Sequence, residues 1–441
     1  VGAASPRSGF SVAWRRPVSL FLTIVLGAGI TFAVTVPAMP STAWWIAAAV
    51  GVALWQRPQT DWVGVERLWL IALLLVPLAA VLSLVNASDV ARSAGRIEKF
   101  LRFALAVPIY LAWRSQAEER ASRVFLFVAA GALLLGPVAL VQVFAYGVER
   151  PDGAVDPIMF GDTAMMLAVL VVASLTAIGA DASTSRGMRR FLGGIAAASA
   201  VMACVLSQTR NAFLAVPVLV VALPLLLRRQ IRLRHWLPVW LGLGVLSFVI
   251  AQGLPAISYH TVLAGDEVLG WWRGAEGMTA TSVGGRLALW EHCLALWQQH
   301  PFVGNGMGDY LPDMTALTLA GGDTILTENP NLKYHSHSIY LHGLVTQGVV
   351  GTAALLLVLV LPFRQAMLLL RTASDSRDTR AALACLIPAL CFMVFGIGDA
   401  WTIKNAFVSI YLLVQVPFMA LASERLRAIG SSEWRPESLR A

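Results

Sequence analysis

Apolar runs of about twenty residues recur along the whole of this 441-residue chain, each long enough to cross the hydrocarbon core of a bilayer as a helix. A transmembrane barrel would instead show short alternating segments, and those are absent. Composition agrees. The chain is 57% hydrophobic and 13% charged, with mean hydropathy +0.70, whereas soluble domains run nearer half apolar and a quarter charged. The expected fold is an all-α polytopic membrane protein.

Spans are expected near 17–36, 41–56, 66–86, 100–113, 122–146, 158–180, 191–208, 211–227 and 236–254. After a long connection come spans near 336–362, 381–398 and 402–421, which makes about twelve transmembrane helices. The 100–113 run is short and carries Arg102. The expected division is a transmembrane bundle at 1–254, a large loop at 255–335 between spans 9 and 10, further spans at 336–421 and a tail at 422–441. Arg15 and Arg16 before the first run are what a signal peptide would show; because more spans follow at once, the run reads as a retained first helix.

The basic residues orient the bundle. With the N-terminus inside, the inner segments hold Arg7, Arg15 and Arg16; Arg57 and Arg67; Arg114, Arg120 and Arg123; Arg186, Arg189 and Arg190. Further on they hold Arg228, Arg229, Arg232 and Arg234; Arg364, Arg371, Arg377 and Arg380; Arg425, Arg427, Arg435 and Arg440. These are most of the 33 basic residues, the bias expected when both termini are cytoplasmic. The net charge of +8 thereby has an explanation that needs no nucleic acid. The cysteines Cys204, Cys293, Cys385 and Cys391 form no CxxC pair, and buried apolar packing accounts for them.

The loop therefore lies outside. Long loops are functional or disordered, and this one reads as ordered. Residues 284–300, GGRLALWEHCLALWQQH, read as an amphipathic helix with Leu287, Trp290, Leu294 and Trp297 on one apolar stripe, stopped by Pro301. Trp271 and Trp272 suit a membrane interface, and the loop is expected to lie as a partly helical lid.

All but one of the seven histidines fall between His260 and His342, most densely in YHSHSIYLHGLVTQGVVG, 334–351. A metal site from His335, His337 and His342 is one reading; on a helix, however, i and i+2 point apart, and no cysteine or carboxylate stands at ligand spacing. The other reading takes His337 as a base in the first helical turn behind Ser336 as N-cap, kept neutral by the positive end of the helix dipole. The bland alternative is an interfacial histidine that is merely hydrogen-bonded. His335 and His342 would orient or line the site. Arg210, in LSQTRNAF, interrupts an apolar stretch and is either snorkelling or meeting an anion; its neighbours Gln208, Thr209 and Asn211 favour the anion. Arg286 opens the loop helix behind two glycines, where backbone amides and a guanidinium suit an anion; the alternative is a plain turn. GNGMGDY, 304–310, lacks the P-loop ending and reads as a tight turn, with Asp309 a polar contact. Asp399 and Lys404 can pair across a short outer turn.

Three motifs in order, QTRNAF at a span edge, GGRLALWEHCLALWQQHPFVGNGMGDY in the loop and HSHSIYLHGLVTQGVVG re-entering the membrane, resemble the O-antigen ligase family. That family includes O-antigen polymerases and bacterial protein O-oligosaccharyltransferases. The resemblance implies a GT-C-like, metal-independent glycosyltransferase without cofactor. A glycan on undecaprenyl pyrophosphate would pass, with inversion, to lipid A–core oligosaccharide at the periplasmic face of a Gram-negative inner membrane. By motif, His337 matches the family's essential histidine and Arg210 and Arg286 its arginines. Ser338 departs from the asparagine often found there, which puts a local hydrogen bond in doubt. The polymerase and protein-transferase activities are the alternatives within the family. A transporter or flippase is the alternative outside it, but would show related halves and polar residues near mid-membrane.

Overall fold

The computed structural model describes residues 9–54, 61–114, 117–176, 184–226, 265–274, 277–281, 283–320 and 334–433. Among them every regular element is helical: α1 (Gly9–Thr31), α2 (Met39–Ala53), α3 (Glu66–Leu82), α4 (Val90–Ala94), α5 (Glu98–Arg114), α6 (Ala117–Leu140), α7 (Pro157–Thr176), α8 (Thr184–Leu206), α9 (Arg210–Leu226), α10 (Gly284–Gln299), α11 (Tyr310–Ala320), α12 (Ile339–Thr372), α13 (Ser376–Gly398) and α14 (Asn405–Glu433). Seven stretches among the described residues are long and apolar enough to cross a membrane: Glu66–Asn86, Arg123–Phe144, Pro157–Leu175, Gly187–Leu206, Ile339–Thr372, Ser376–Gly398 and Asn405–Gly430. Apolar but shorter are Pro17–Thr31, Met39–Ala53 and Arg210–Leu226. The expected span at 100–113 is α5, a 17-residue helix with charges at both ends. The one at 236–254 lies outside the described residues.

The core is organised on α14, almost wholly buried, which packs against α2, α5, α6, α12 and α13. At its start Phe392 meets Trp401, Phe407 and Tyr411 with ring centroids 5.0–5.1 Å apart, the edge-on and tilted contacts that aromatic quadrupoles favour. At its far end α14 runs past residue 421, where a tail was expected. Ala422 and Ser423 are buried there, and two arginines bind carboxylates of other helices. Arg425 Nε donates to Asp378 Oδ1 at 2.6 Å, and Arg427 Nη1 to Glu66 at 3.2 Å. Glu66 is fully buried and also accepts from Tyr110 Oη (2.6 Å) and Arg114 Nε (2.5 Å). A buried charge has to be paired in this way. The ion group ties α3, α5 and α14 at the end of the bundle where the arginine bias lies. All four cysteines are buried and free.

At the opposite end, the loop and α12 are joined by main chain. Gly348 interrupts α12 with φ 64° and ψ −164°, a conformation open to glycine alone. In an unbroken helix Val345 O would accept from Val349 N, and Thr346 O from Val350 N. Here the segment after α10 supplies all four partners. Asn305 N donates to Val345 O (2.8 Å) and Gly306 N to Thr346 O (3.2 Å); Pro301 O accepts from Val349 N (2.9 Å) and Phe302 O from Val350 N (3.1 Å). A broken helix is tolerated in a membrane protein only where other protein satisfies it in this way. The GNGMGDY turn serves this junction. Asp309 Oδ2 accepts from Ser88 N at 2.7 Å, Gly308 N donates to Ser93 Oγ at 2.8 Å, and Asn86 Nδ2 to Gly304 O at 3.1 Å.

A Cβ on Gly348 would lie 2.3 Å from the Phe302 carbonyl, on top of a backbone cost of about 1–3 kcal/mol. Gly348→Ala should therefore lower the thermal midpoint in detergent clearly. Gly194→Ala, in α8 with nothing within 4 Å of the added carbon, should leave it unchanged or raise it.

Candidate active site

The stretch 335–338 reaches α12 as a turn, and the helix starts two residues later than the spacing suggests. Ser338, not Ser336, is its N-cap, and makes no side-chain cap bond. Ser336 Oγ instead donates to Ser338 O at 2.7 Å and accepts from Ser338 N at 3.3 Å. The local Ser-x-Ser bonds win because they satisfy the turn's own backbone. His337 thus precedes the helix, with φ 52°. A non-glycine residue in the left-handed region is uncommon, and such strain clusters at functional sites. Among the described residues only Ala38, Gln208 and His337 share it.

Because neither His335 nor His337 is helical, the reason for expecting their rings to point apart fails. The rings lie with centroids 4.1 Å apart at 46°, and His337 N donates to His335 Nδ1 at 3.2 Å. Among the described residues no three His, Cys, Asp or Glu side chains gather at metal-binding distance. Both His337 ring nitrogens are buried. Trp290 Nε1 donates to Ser336 O at 2.9 Å, and Tyr340 Oη to Met393 O at 2.6 Å, so the histidine turn is held from α10 and from α13. His342, in the second turn of α12, is buried; its ring meets Tyr310 at 4.9 Å, and its two ring nitrogens have no hydrogen-bond partner among the described residues.

The loop helix packs on a different face from the one expected. Ala288, Leu289, Cys293 and Leu296 are buried with Tyr310, Met314 and Val345, whereas Leu294 is exposed and Leu287, Trp290 and Trp297 are half-buried. The tryptophans sit at the edge because each indole N–H needs a partner, which Trp297 finds in Pro301 O at 3.0 Å. Glu267, itself buried, accepts from Val283 N at 2.7 Å and sets the start of α10 just before Arg286.

Arg210 stands exposed as the first residue of α9. Gln208, with φ 53°, closes α8 as its main-chain N–H donates to Val205 O at 3.1 Å, and Thr209 Oγ1 donates to Pro157 O at 2.7 Å. Asn211 faces inward: its amide donates to Asp162 Oδ2 (2.8 Å) and Phe395 O (3.0 Å). Asp309 belongs to the junction described above.

The charges meet although their elements are far apart in sequence. Burial lowers the Arg286 pKa, and the nearby Arg210 charge adds to it, against Asp399 and Glu267. Burial, then the charges of Lys404 and Arg286, push His335 down to about 4, opposed by Asp156. Lys404 Nζ contacts Asp399 at 2.8 Å and Asp156 at 3.4 Å. Burial works against its charge, but the two carboxylates outweigh that and raise its pKa. Arg210, Arg286, Lys404 and His335 thus share one electrostatic neighbourhood, drawn from α9, α10, the α13–α14 turn and the approach to α12. Such a cluster can hold a multiply charged anion beside a histidine. Spacing pointed to the arginines and histidines. It carried no signal for Trp290 or Glu267, whose roles depend on tertiary neighbours.

Since His335 Nδ1 accepts a main-chain bond, its neutral ring carries the proton on Nε2. A folded pKa near 4, below the usual 6.5, means the unfolded chain binds more protons between those values. Stability should be full above about pH 6.5 and fall as pH drops towards 4. Thermal midpoints measured from pH 7 to 4.5 should show this loss, and His335→Gln should weaken it.

Residues 195–356 match the family described as O-antigen ligase, a segment that holds Arg210, Arg286 and His337. An uncharacterized protein of Haemophilus influenzae is 24% identical over 273 residues, covering 59% of this chain and 63% of the relative. The chain thus spans less than two thirds of that relative's length. Over residues 195–356 the chain is thus similar to the O-antigen ligase family.

Proposed function

We propose that the protein transfers a glycan from undecaprenyl pyrophosphate to a sugar hydroxyl of lipid A–core oligosaccharide, at the periplasmic face of a bacterial inner membrane. The observation that carries this reading is the convergence of Arg210 and Arg286 beside the histidine turn, within the family segment. In this reading His337 takes the proton of the acceptor hydroxyl as its oxygen attacks the anomeric carbon. The bond from that carbon to the phosphate oxygen breaks, and undecaprenyl pyrophosphate leaves with the electron pair. Arg210 and Arg286 stabilise the charge that develops on the leaving group, the task a metal performs in other transferases. Lys404 adds to the field but is largely neutralised by Asp399 and Asp156. Attack from the opposite face inverts the carbon.

Several features support the outward placement. The His337 end of the bundle is opposite the arginine-rich end, and the loop that would cover both sugars is joined to α12 by main chain. About twelve spans in a GT-C-like arrangement, with both termini inside, complete the reading.

Purified protein given undecaprenyl-pyrophosphate glycan and rough lipopolysaccharide, with chelator and without nucleotide, should produce glycan on lipid A–core. His337→Ala should abolish transfer while preserving donor binding. Arg210→Lys and Arg286→Lys should each lose at least about tenfold in kcat/KM, because the bidentate fork is lost. Longer undecaprenyl-linked glycan alone would make the protein a polymerase, and full activity of His337→Ala would remove the base.

A further inference from the structure

Apart from this cluster, an open cleft of about 550 Å³ lies between α4 and α11. Its two walls differ in chemistry. One carries Arg92 and Arg96; the other is the face of α11 formed by Leu311, Pro312, Ala316 and Leu319, residues that recur at helical spacing. The other face of α11 is occupied, since Tyr310 and Met314 are buried with α10 and α12. On the cleft side Leu319 is 73% exposed, and Pro312 and Ala316 are exposed as well.

The charge on the opposite wall is incompletely neutralised. Arg92 pairs with Asp89 at 2.9 Å, both side chains well exposed. The Arg96 main-chain N–H donates to Ser93 O at 3.1 Å, but its guanidinium has no ion-pair or hydrogen-bond partner among the described residues. The cleft follows the apolar stretch Glu66–Asn86, which begins with α3, and this puts it at headgroup level. Guanidinium groups facing an apolar wall at that depth complement a phosphorylated lipid, with phosphate on the arginines and chain along the helix.

The Ser88–Asp309 and Gly308–Ser93 bonds fix α4 to the loop at the same end of the bundle as His337. His342 is linked to both regions. Its ring lies against Tyr310, the first residue of α11, and it feels the charges of His335, Arg96 and Lys99.

We propose that this cleft docks the lipid portion of the acceptor, a phosphorylated, acylated glycolipid of the outer leaflet. Arg92 and Arg96 hold its phosphates, and the bare face of α11 carries an acyl chain. The inference rests on the transferase reading and assigns the two substrates to opposite sides: donor pyrophosphate at Arg210 and Arg286, acceptor lipid at α4 and α11. The acceptor sugar then meets the donor at His337.

Two measurements on the detergent-solubilised full chain test it. In native mass spectrometry with bis-phosphorylated lipid A, Arg96→Gln and Ala316→Trp should each cut retention at least fivefold, and dephosphorylated lipid A should bind the wild type as weakly. In the transfer assay both variants should raise the KM for rough lipopolysaccharide at least fivefold, with donor KM and kcat unchanged. Equal retention by the variants, equal retention of phosphatidylglycerol, or a shift in donor KM instead would overturn the assignment. Absence of transfer by the wild type would refute the transferase reading, whereas the binding measurement decides the cleft independently.

Discussion

The break in α12 at Gly348 and its repair by residues 301–306 is the constraint on which the candidate site depends. Four main-chain groups that a helix would pair internally are given to the loop, and the low-dielectric setting makes leaving any of them unpaired costly. Once the bonds form, loop and helix are one unit. α10 is then carried over the start of α12, Trp290 reaches Ser336 O, and Arg286 comes to stand near Arg210 and His335. A single backbone junction thus ties α10 and the segment after it to α12, the kind of support that exact positioning of reacting groups requires.

Electrostatics at the two ends of the bundle differ in purpose. At the Glu66 end, opposite charges are paired to completion, with Arg114, Arg427 and Tyr110 around one buried carboxylate, and the result is a staple. At the His337 end the pairing is incomplete. Lys404 is balanced by Asp399 and Asp156, yet Arg286 is buried beside the Arg210 charge, and burial, aided by Lys404 and Arg286, keeps His335 neutral. Excess positive charge held together by the fold is a store of affinity for an anion, released when the anion binds.

Much of this was legible in the sequence. Apolar runs marked most of the helices, and Arg210, Arg286 and the histidines stood out because they cluster away from the segments that hold most of the arginines. The order of motifs pointed to the family. What periodicity misread is equally instructive. Leu287, Trp290, Leu294 and Trp297 form a stripe on paper, but Ala288, Leu289, Cys293 and Leu296 are the buried set, because the small residues allow α10 to approach α12. Ser336 reads as an N-cap, but a local Ser-x-Ser turn takes its hydroxyl and leaves Ser338 at the cap. Neither the backbone exchange at Gly348 nor the hold of Trp290 on Ser336 is written in local spacing, since both are made by segments distant in the chain.

The central claim is that Arg210 and Arg286, together with the histidine turn, receive the pyrophosphate of the donor. The most direct measurement is a cryo-electron microscopy structure of the protein with undecaprenyl pyrophosphate bound. The account predicts phosphate oxygens within hydrogen-bond reach of both guanidinium groups, with the terminal phosphate facing His337. Pyrophosphate resting between Arg92 and Arg96, with Arg210 and Arg286 unengaged, would contradict it.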